Sequence, residues 1–169
     1  KQMNLKEFNS LTDLFFYQAE KQNPKSVFLK WLNPKNKRSF TWEETVSNIY
    51  KLTKILKQHV KNEDRCLLVS ENRPEWLISD LAIMLANAIT VPAYTTYTEN
   101  DYKYLIEDCE PSVIIVSNNE MHEKLKKIIK EKNFIKKIIT FEKIEGVDYE
   151  NNKSYIINDS SIFVIIICK

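Results

Sequence analysis

Glycine is almost missing: Gly146 is the single one in 169 residues, where average usage would supply roughly a dozen. Phosphate-binding turns of the G-x-G-x-x-G and G-x-x-x-x-G-K-[ST] kinds need glycine wherever backbone closely approaches phosphate, so this chain encodes neither. Histidine is scarce as well. His59 and His122 have no nucleophile near them in sequence, and nothing suggests a Ser-His-Asp or Cys-His site. Cys66, Cys109 and Cys168 lie far apart without CxxC or Cys/His spacing, which argues against zinc and against a disulfide framework and fits a reducing cytoplasm. An excess of one charge is lacking too. Lys and Arg total 25 against 23 Asp and Glu, a net charge of +2, so no general attraction to nucleic acid or acidic lipid follows. Long apolar runs are also absent: the longest, 76–94, is interrupted by Ser79, Asp80, Asn87 and Pro92 and changes from helical to strand-like patterning midway. The amino terminus lacks the continuous apolar core of a secretory signal, and Lys1 ahead of Met3 suggests a trimmed or conceptual start.

Present instead is a composition ordinary for a soluble globular protein, 43% hydrophobic and 28% charged. Five short runs rich in Val and Ile, at 66–70, 90–94, 112–117, 137–141 and 161–167, read as buried strands. Helical stripes fill most of the gaps. Trp42, Val46, Ile49, Leu56 and Val60 recur at helical spacing behind a Thr41/Glu44 capping box, and Leu77, Leu81, Met84, Leu85 and Ala88 form the next stripe, with Pro74 near its start. Thr98 and Asp101 repeat the capping logic before Tyr102, Leu105, Ile106 and Cys109. Met121, Leu125, Ile128 and Ile129 make the last stripe. Wholly apolar strands alternating with helices of ten or more residues require right-handed crossovers, so the expected class is α/β: a doubly wound, mostly parallel sheet with helices on both faces. Residues 1–40, with a helix over 11–20 and an apolar run at 27–32, read as a small addition beside the α/β unit of 41–169. The polar stretch 142–159 reads as a loop.

The residue types that could carry chemistry have plainer readings. Glu71 with Asn72 and Glu75 with Asp80 could be offered as acid/base pairs. Asn72 is better read as a helix cap, Glu75 as an anion in the first helical turn, and Asp80 as facing outward. His59 and His122 suit surface or cap positions. Lys124, Lys126, Lys127, Lys130, Lys132, Lys136 and Lys137 fall opposite the last apolar stripe, as on a solvated helix face. Tyr94, Tyr97, Tyr102 and Tyr104 follow the second of the five runs, at whose carboxyl end open α/β sheets form ligand crevices; they suit packing with wet hydroxyls, or an acyl or partner surface. No catalytic, cofactor-binding or metal-ligating residue is assigned.

The order Ser-Glu-Asn, Pro-Glu-Trp, apolar helix, Val-Pro-x-Tyr, polar turn and buried strand, from Ser70 to Ser117, resembles the amino-terminal region of ATP-dependent acyl-CoA synthetases, the adenylate-forming ligases. TDLFFYQAEKQNPKSVFLKW is similar to their opening helix and strand, SFTWEE to their first helix cap, and Ser-Glu-Asn-Arg-Pro-Glu-Trp leans toward the long-chain fatty acid branch. Asn87 stands where those enzymes usually have Gly, and Asn tolerates a left-handed helix stop. The resemblance implies activation of a fatty acid with ATP and magnesium to an acyl-adenylate, followed by transfer to coenzyme A, whose phosphates the lysine run could meet. It further implies that the phosphate loop, adenine-stacking aromatic, ribose-binding acid and carboxyl-terminal lysine lie beyond Lys169. The expected entity is then a fragment from a frameshifted, split or cut gene, inactive alone, with an apolar edge at 161–167 and the ligase remainder as partner. That leaves room for peripheral membrane contact or a homo-oligomer, with no nucleic acid. A non-enzymatic binding module that holds a partner at its sheet edge is the competing reading. A flavodoxin-like domain is a third, although SENRPEW supplies no Ser/Thr/Gly phosphate loop.

Overall fold

A computed structural model describes residues 8–33, 35–144 and 154–156. The α/β expectation holds. Strands β3 (Arg65–Val69), β4 (Ile89–Ala93), β5 (Val113–Val116), β6 (Lys137–Thr140) and β7 (Ser154–Ile156) form one sheet in the order β4-β3-β5-β6-β7, with every neighbouring pair parallel. Alternating residues of β3 enter opposite cores, as a two-faced sheet demands. Cys66 and Leu68 pack with Ile49, Leu52 and Leu56 of α2 (Trp42–Leu56) and Ile78 and Ala82 of α3 (Pro74–Leu85). Leu67 and Val69 pack with Tyr102 and Ile106 of α4 (Glu99–Cys109) and Met121 and Leu125 of α5 (Asn119–Lys130).

Local chemistry sets the helix ends. Thr41 with Glu44 and Thr98 with Asp101 form the two capping boxes, each satisfying backbone donors in both directions. Asn118 accepts from the Met121 N–H at the start of α5. Asn87 follows α3 at φ 58°, a left-handed stop that asparagine tolerates, and its carbonyl accepts from the Glu63 N–H at 2.8 Å.

Ahead of this unit, α1 (Leu11–Ala19) precedes a hairpin of β1 (Val27–Asn33) and β2 (Asn36–Thr41), an antiparallel two-stranded sheet of its own that meets α2 and α3. Strand β2 was not foreseen, because NKRSFT has too little apolar character to give a strand signal. The hairpin is fastened by aromatic packing: Phe28 stacks on Trp42 at 3.8 Å between centroids, and Phe15 lies 5.9 Å from Phe28. The loop expectation over 142–159 is corrected by β7, whose three residues are too short to show a period. The run 161–167 and the apolar edge expected there lie outside the described residues. Strand β4 has no outer neighbour among the described strands, and it carries Pro92 opposite Leu68.

Candidate functional site

In an open α/β sheet the ligand crevice forms beyond the carboxyl ends of the strands where the chain reverses its direction of winding. Here that switch lies between β3, which sends the chain outward to β4, and β5, which starts the opposite march to β6 and β7. The residues beyond it are Ser70 to Arg73 after β3, Ser117 and Asn118 after β5, and Phe141 and Glu142 after β6.

Arg73 dominates the place. Pro74 restricts the preceding residue to extended backbone, and Arg73 adopts φ −151°, ψ 160° as the N-cap of α3, making no side-chain cap bond. Its guanidinium donates from Nε to Glu75 Oε2 at 2.9 Å and from Nη2 to Glu75 Oε1 at 3.1 Å, a bidentate fork. Nη2 also meets Glu142 Oε1 at 2.9 Å, and Nη1 reaches Glu71 Oε1 at 3.4 Å. The Arg73 Cζ lies 4.4 Å from the Trp31 ring centre and 5.3 Å from that of Phe141. From the hairpin, Arg38 Nη1 donates to Glu75 Oε1 at 3.1 Å. The Arg73 side chain is 1% exposed and that of Glu75 0%.

Burial alone would lower the guanidinium's pKa, but the Glu75 and Glu142 carboxylates outweigh it and hold Arg73 above its ordinary value. Removing one member of so buried a pair strands the other without solvent, at a cost of about 3–5 kcal/mol.

Sequence reasoning placed these residues only in part. Glu75 does sit in the first turn of α3, but it is a fully buried ion-pair partner and not merely an anion favoured by the macrodipole. The cap position belongs to Arg73 and not to Asn72, which is exposed. Arg73, Arg38 and Trp31 were missed; the available signal was opposite charges flanking a proline in Arg-Pro-Glu. Asp80 is half-buried and is not among the members of this cluster. His122 is 7% exposed, not a surface residue, and burial lowers its pKa; His59 is half-buried, its pKa lowered by burial and by Lys137 and Lys136. Neither joins the crevice cluster described above.

The lysine run divides. Lys126, Lys127 and Lys130 are exposed, while Lys124 donates to the Thr95 carbonyl at 2.8 Å, Lys132 to Glu107 at 2.7 Å, Lys136 pairs with Asp64 at 3.5 Å and Lys137 is buried. Beyond β4, Tyr102 is buried with its hydroxyl donating to the Tyr94 carbonyl at 2.7 Å, Tyr97 makes edge contacts with both Tyr94 and Tyr102, and Tyr94 and Tyr104 stand exposed.

A family profile described as "AMP-binding enzyme" matches residues 15–162. The chain belongs to that family. Similar curated proteins include a human long-chain-fatty-acid–CoA ligase, ACSBG1, at 29% identity over 111 residues (62% of this chain, 15% of that protein). Another is long chain acyl-CoA synthetase 4 of Arabidopsis thaliana, at 28% over 102 residues (60% and 15%). The chain thus spans about a seventh of the length of these relatives. Among solved structures, an anthranilate CoA ligase, AuaEII, in complex with anthranoyl-AMP superposes with a TM-score of 0.72 at 20% identity, covering 85% of this chain and 28% of that one. A coronafacic acid ligase from Pectobacterium brasiliense gives 0.73 at 20% identity, covering 86% and 27%. These superpositions show a shared fold.

The adenine nucleotide implied by the family does not fit the residues at this crevice. Arg73, the cation beside it, is already engaged by three carboxylates, and no glycine lies in the turns after β3 or β5. Among the described residues no cluster of His, Cys, Asp or Glu could hold a metal ion, and no helix is long and apolar enough to cross a membrane.

Proposed function

We propose that this chain is the amino-terminal α/β segment of a long-chain fatty acid–CoA ligase. That enzyme would use ATP and magnesium to convert a fatty acid to its acyl-adenylate and then form the thioester with coenzyme A. The observation that carries the reading is the extent of the family match, residues 15–162, in a chain spanning only 15% of its long-chain relatives. In this reading residues 1–40 are an addition to the α/β unit of 41–169, and the adenylation machinery belongs to the remainder of the ligase, in cis or as a separate chain. A cytoplasmic site of action, which the cysteine spacing favours, peripheral membrane contact through the lipid substrate and homo-oligomerisation are further properties to test. Supporting the reading, the Arg73 guanidinium is paired with Glu75 inside the crevice and so is engaged in packing this unit.

The test is ATP–pyrophosphate exchange driven by palmitate. The purified chain alone is expected to give none, whereas exchange that disappears on heat inactivation would overturn the assignment of the chemistry to the remainder. Sequencing the DNA past codon 169 in three frames supplies the second arm. A Tyr-Thr-Ser-Gly-type loop followed by a ligase supports the reading, and its absence favours the non-enzymatic binding module, for which the exposed Tyr94 and Tyr104 would be the first surface to probe.

A further inference from the structure

We propose that the crevice between β3 and β5 is closed to nucleotide by the chain's own side chains and serves as a joint. In it Arg73 binds the β1–β2 hairpin, the start of α3 and the exit of β6 into one unit. The inference concerns this chain alone and stands whether or not a ligase remainder exists.

Three segments far apart in sequence converge on one guanidinium. The hairpin contributes the Trp31 ring at 4.4 Å and, through Arg38, a second cation on Glu75 at 3.1 Å. The α3 start contributes Glu75 by two bonds and Glu71 by one. The β6 exit contributes the Phe141 ring and the Glu142 carboxylate at 2.9 Å. A planar guanidinium suits such a place because its edge serves carboxylates while its faces serve rings, a division that an ammonium cannot make.

The same arrangement excludes phosphate. Among the described residues the guanidinium of Arg73 is met by Glu71, Glu75 and Glu142 and that of Arg38 by Glu75, so a phosphate would compete with carboxylates already in place. It would also have to displace carboxylates from a side chain that is 1% exposed. Glu71 and Glu142 remain 38% and 40% exposed, which puts negative charge on the rim.

Two measurements test this on the 169-residue chain. In titration calorimetry, magnesium-ATP is expected to give no saturable binding up to millimolar concentration. Saturable binding that Arg73→Gln abolishes would overturn the closed crevice. In hydrogen exchange, Arg73→Gln is expected to speed exchange at least tenfold both at the hairpin amides and at the Phe141 N–H, which donates to the Val116 carbonyl, while α4 and α5 keep their protection. Arg73→Lys, retaining the charge but not the fork, should recover only part of that protection. Uniform acceleration through α4 and α5, no acceleration, or full recovery by lysine would overturn the joint. A positive result in the pyrophosphate-exchange assay would bear on the proposed function and leave the joint standing.

Discussion

The Ser112 hydroxyl donates to Asp64 Oδ2 at 2.8 Å, tying the residue before β3 to the residue before β5 at the amino end of the sheet. The same oxygen accepts from the Lys61 N–H at 2.9 Å and meets Lys136 Nζ at 3.5 Å, so one carboxylate gathers the entries of three adjacent strands.

Burial pulls the Asp64 pKa upward, but the Lys61 N–H, the Ser112 hydroxyl and the Lys136 charge together hold it below the ordinary value. A carboxylate depressed by folding contributes stability above its unfolded pKa and loses it as pH falls through the folded one. Asp64→Asn is therefore expected to cost about 1 kcal/mol at pH 7, roughly 2–4 °C in Tm, with the difference shrinking as pH falls below the ordinary carboxylate range. Thermal melts of both proteins across pH check it; an equal deficit at every pH would refute it.

Burial first, then the charges of Glu120 and Tyr97, push the Tyr102 phenol up to about 12. A pKa raised by folding gives stability that is complete below the unfolded value near 10 and fades as pH climbs through about 12. Ultraviolet titration should show a late-ionising tyrosine that disappears in Tyr102→Phe. That variant, which leaves the Tyr94 carbonyl without this donor, should lose about 1 kcal/mol in denaturant melts.

Burial, and secondarily Asp64, lifts the Cys66 thiol to about 12, while Cys109 is half-buried with a smaller rise of the same cause. Alkylation at neutral pH followed by mass mapping should therefore label Cys109 slowly and leave Cys66 untouched until denaturant is added. Labelling of Cys66 in the folded chain at the rate of Cys109 would contradict the burial described.

Asn87 occupies the left-handed region at φ 58°. Asn87→Gly should be neutral or stabilising by about 0.5 kcal/mol, and Asn87→Val should cost about 1–2 kcal/mol, because a β-branched side chain meets the following carbonyl in that conformation. Chemical denaturation of the three proteins ranks them.

Much of the fold could be read because its signals are local and repeated. The apolar runs at 66–70, 90–94, 112–117 and 137–141 became β3 to β6, and both capping boxes formed as their spacing predicts. The candidate site was less legible. Its partners are separated by 37 residues between Arg38 and Glu75 and by the whole α/β unit between Trp31 and Phe141, and no periodicity encodes a contact at that range. Glu75 looked like a dipole anion because the sequence shows only the turn it occupies, not the two arginines that close over it. His122 looked superficial because its neighbours Glu123 and Lys124 are polar, whereas the helix turns it inward beside Met121 and Leu125.

The Ile89 N–H donates inward to the Asp64 carbonyl, so by alternation Thr90 and Pro92 present their backbones away from β3. Of these two outward positions only Thr90 has an N–H to give, since proline has none. A second molecule sliding alongside would find one of the two outward donors of that edge missing, which discourages lateral stacking of copies into fibrils from this side even though Ile89 and Tyr94 are open to water.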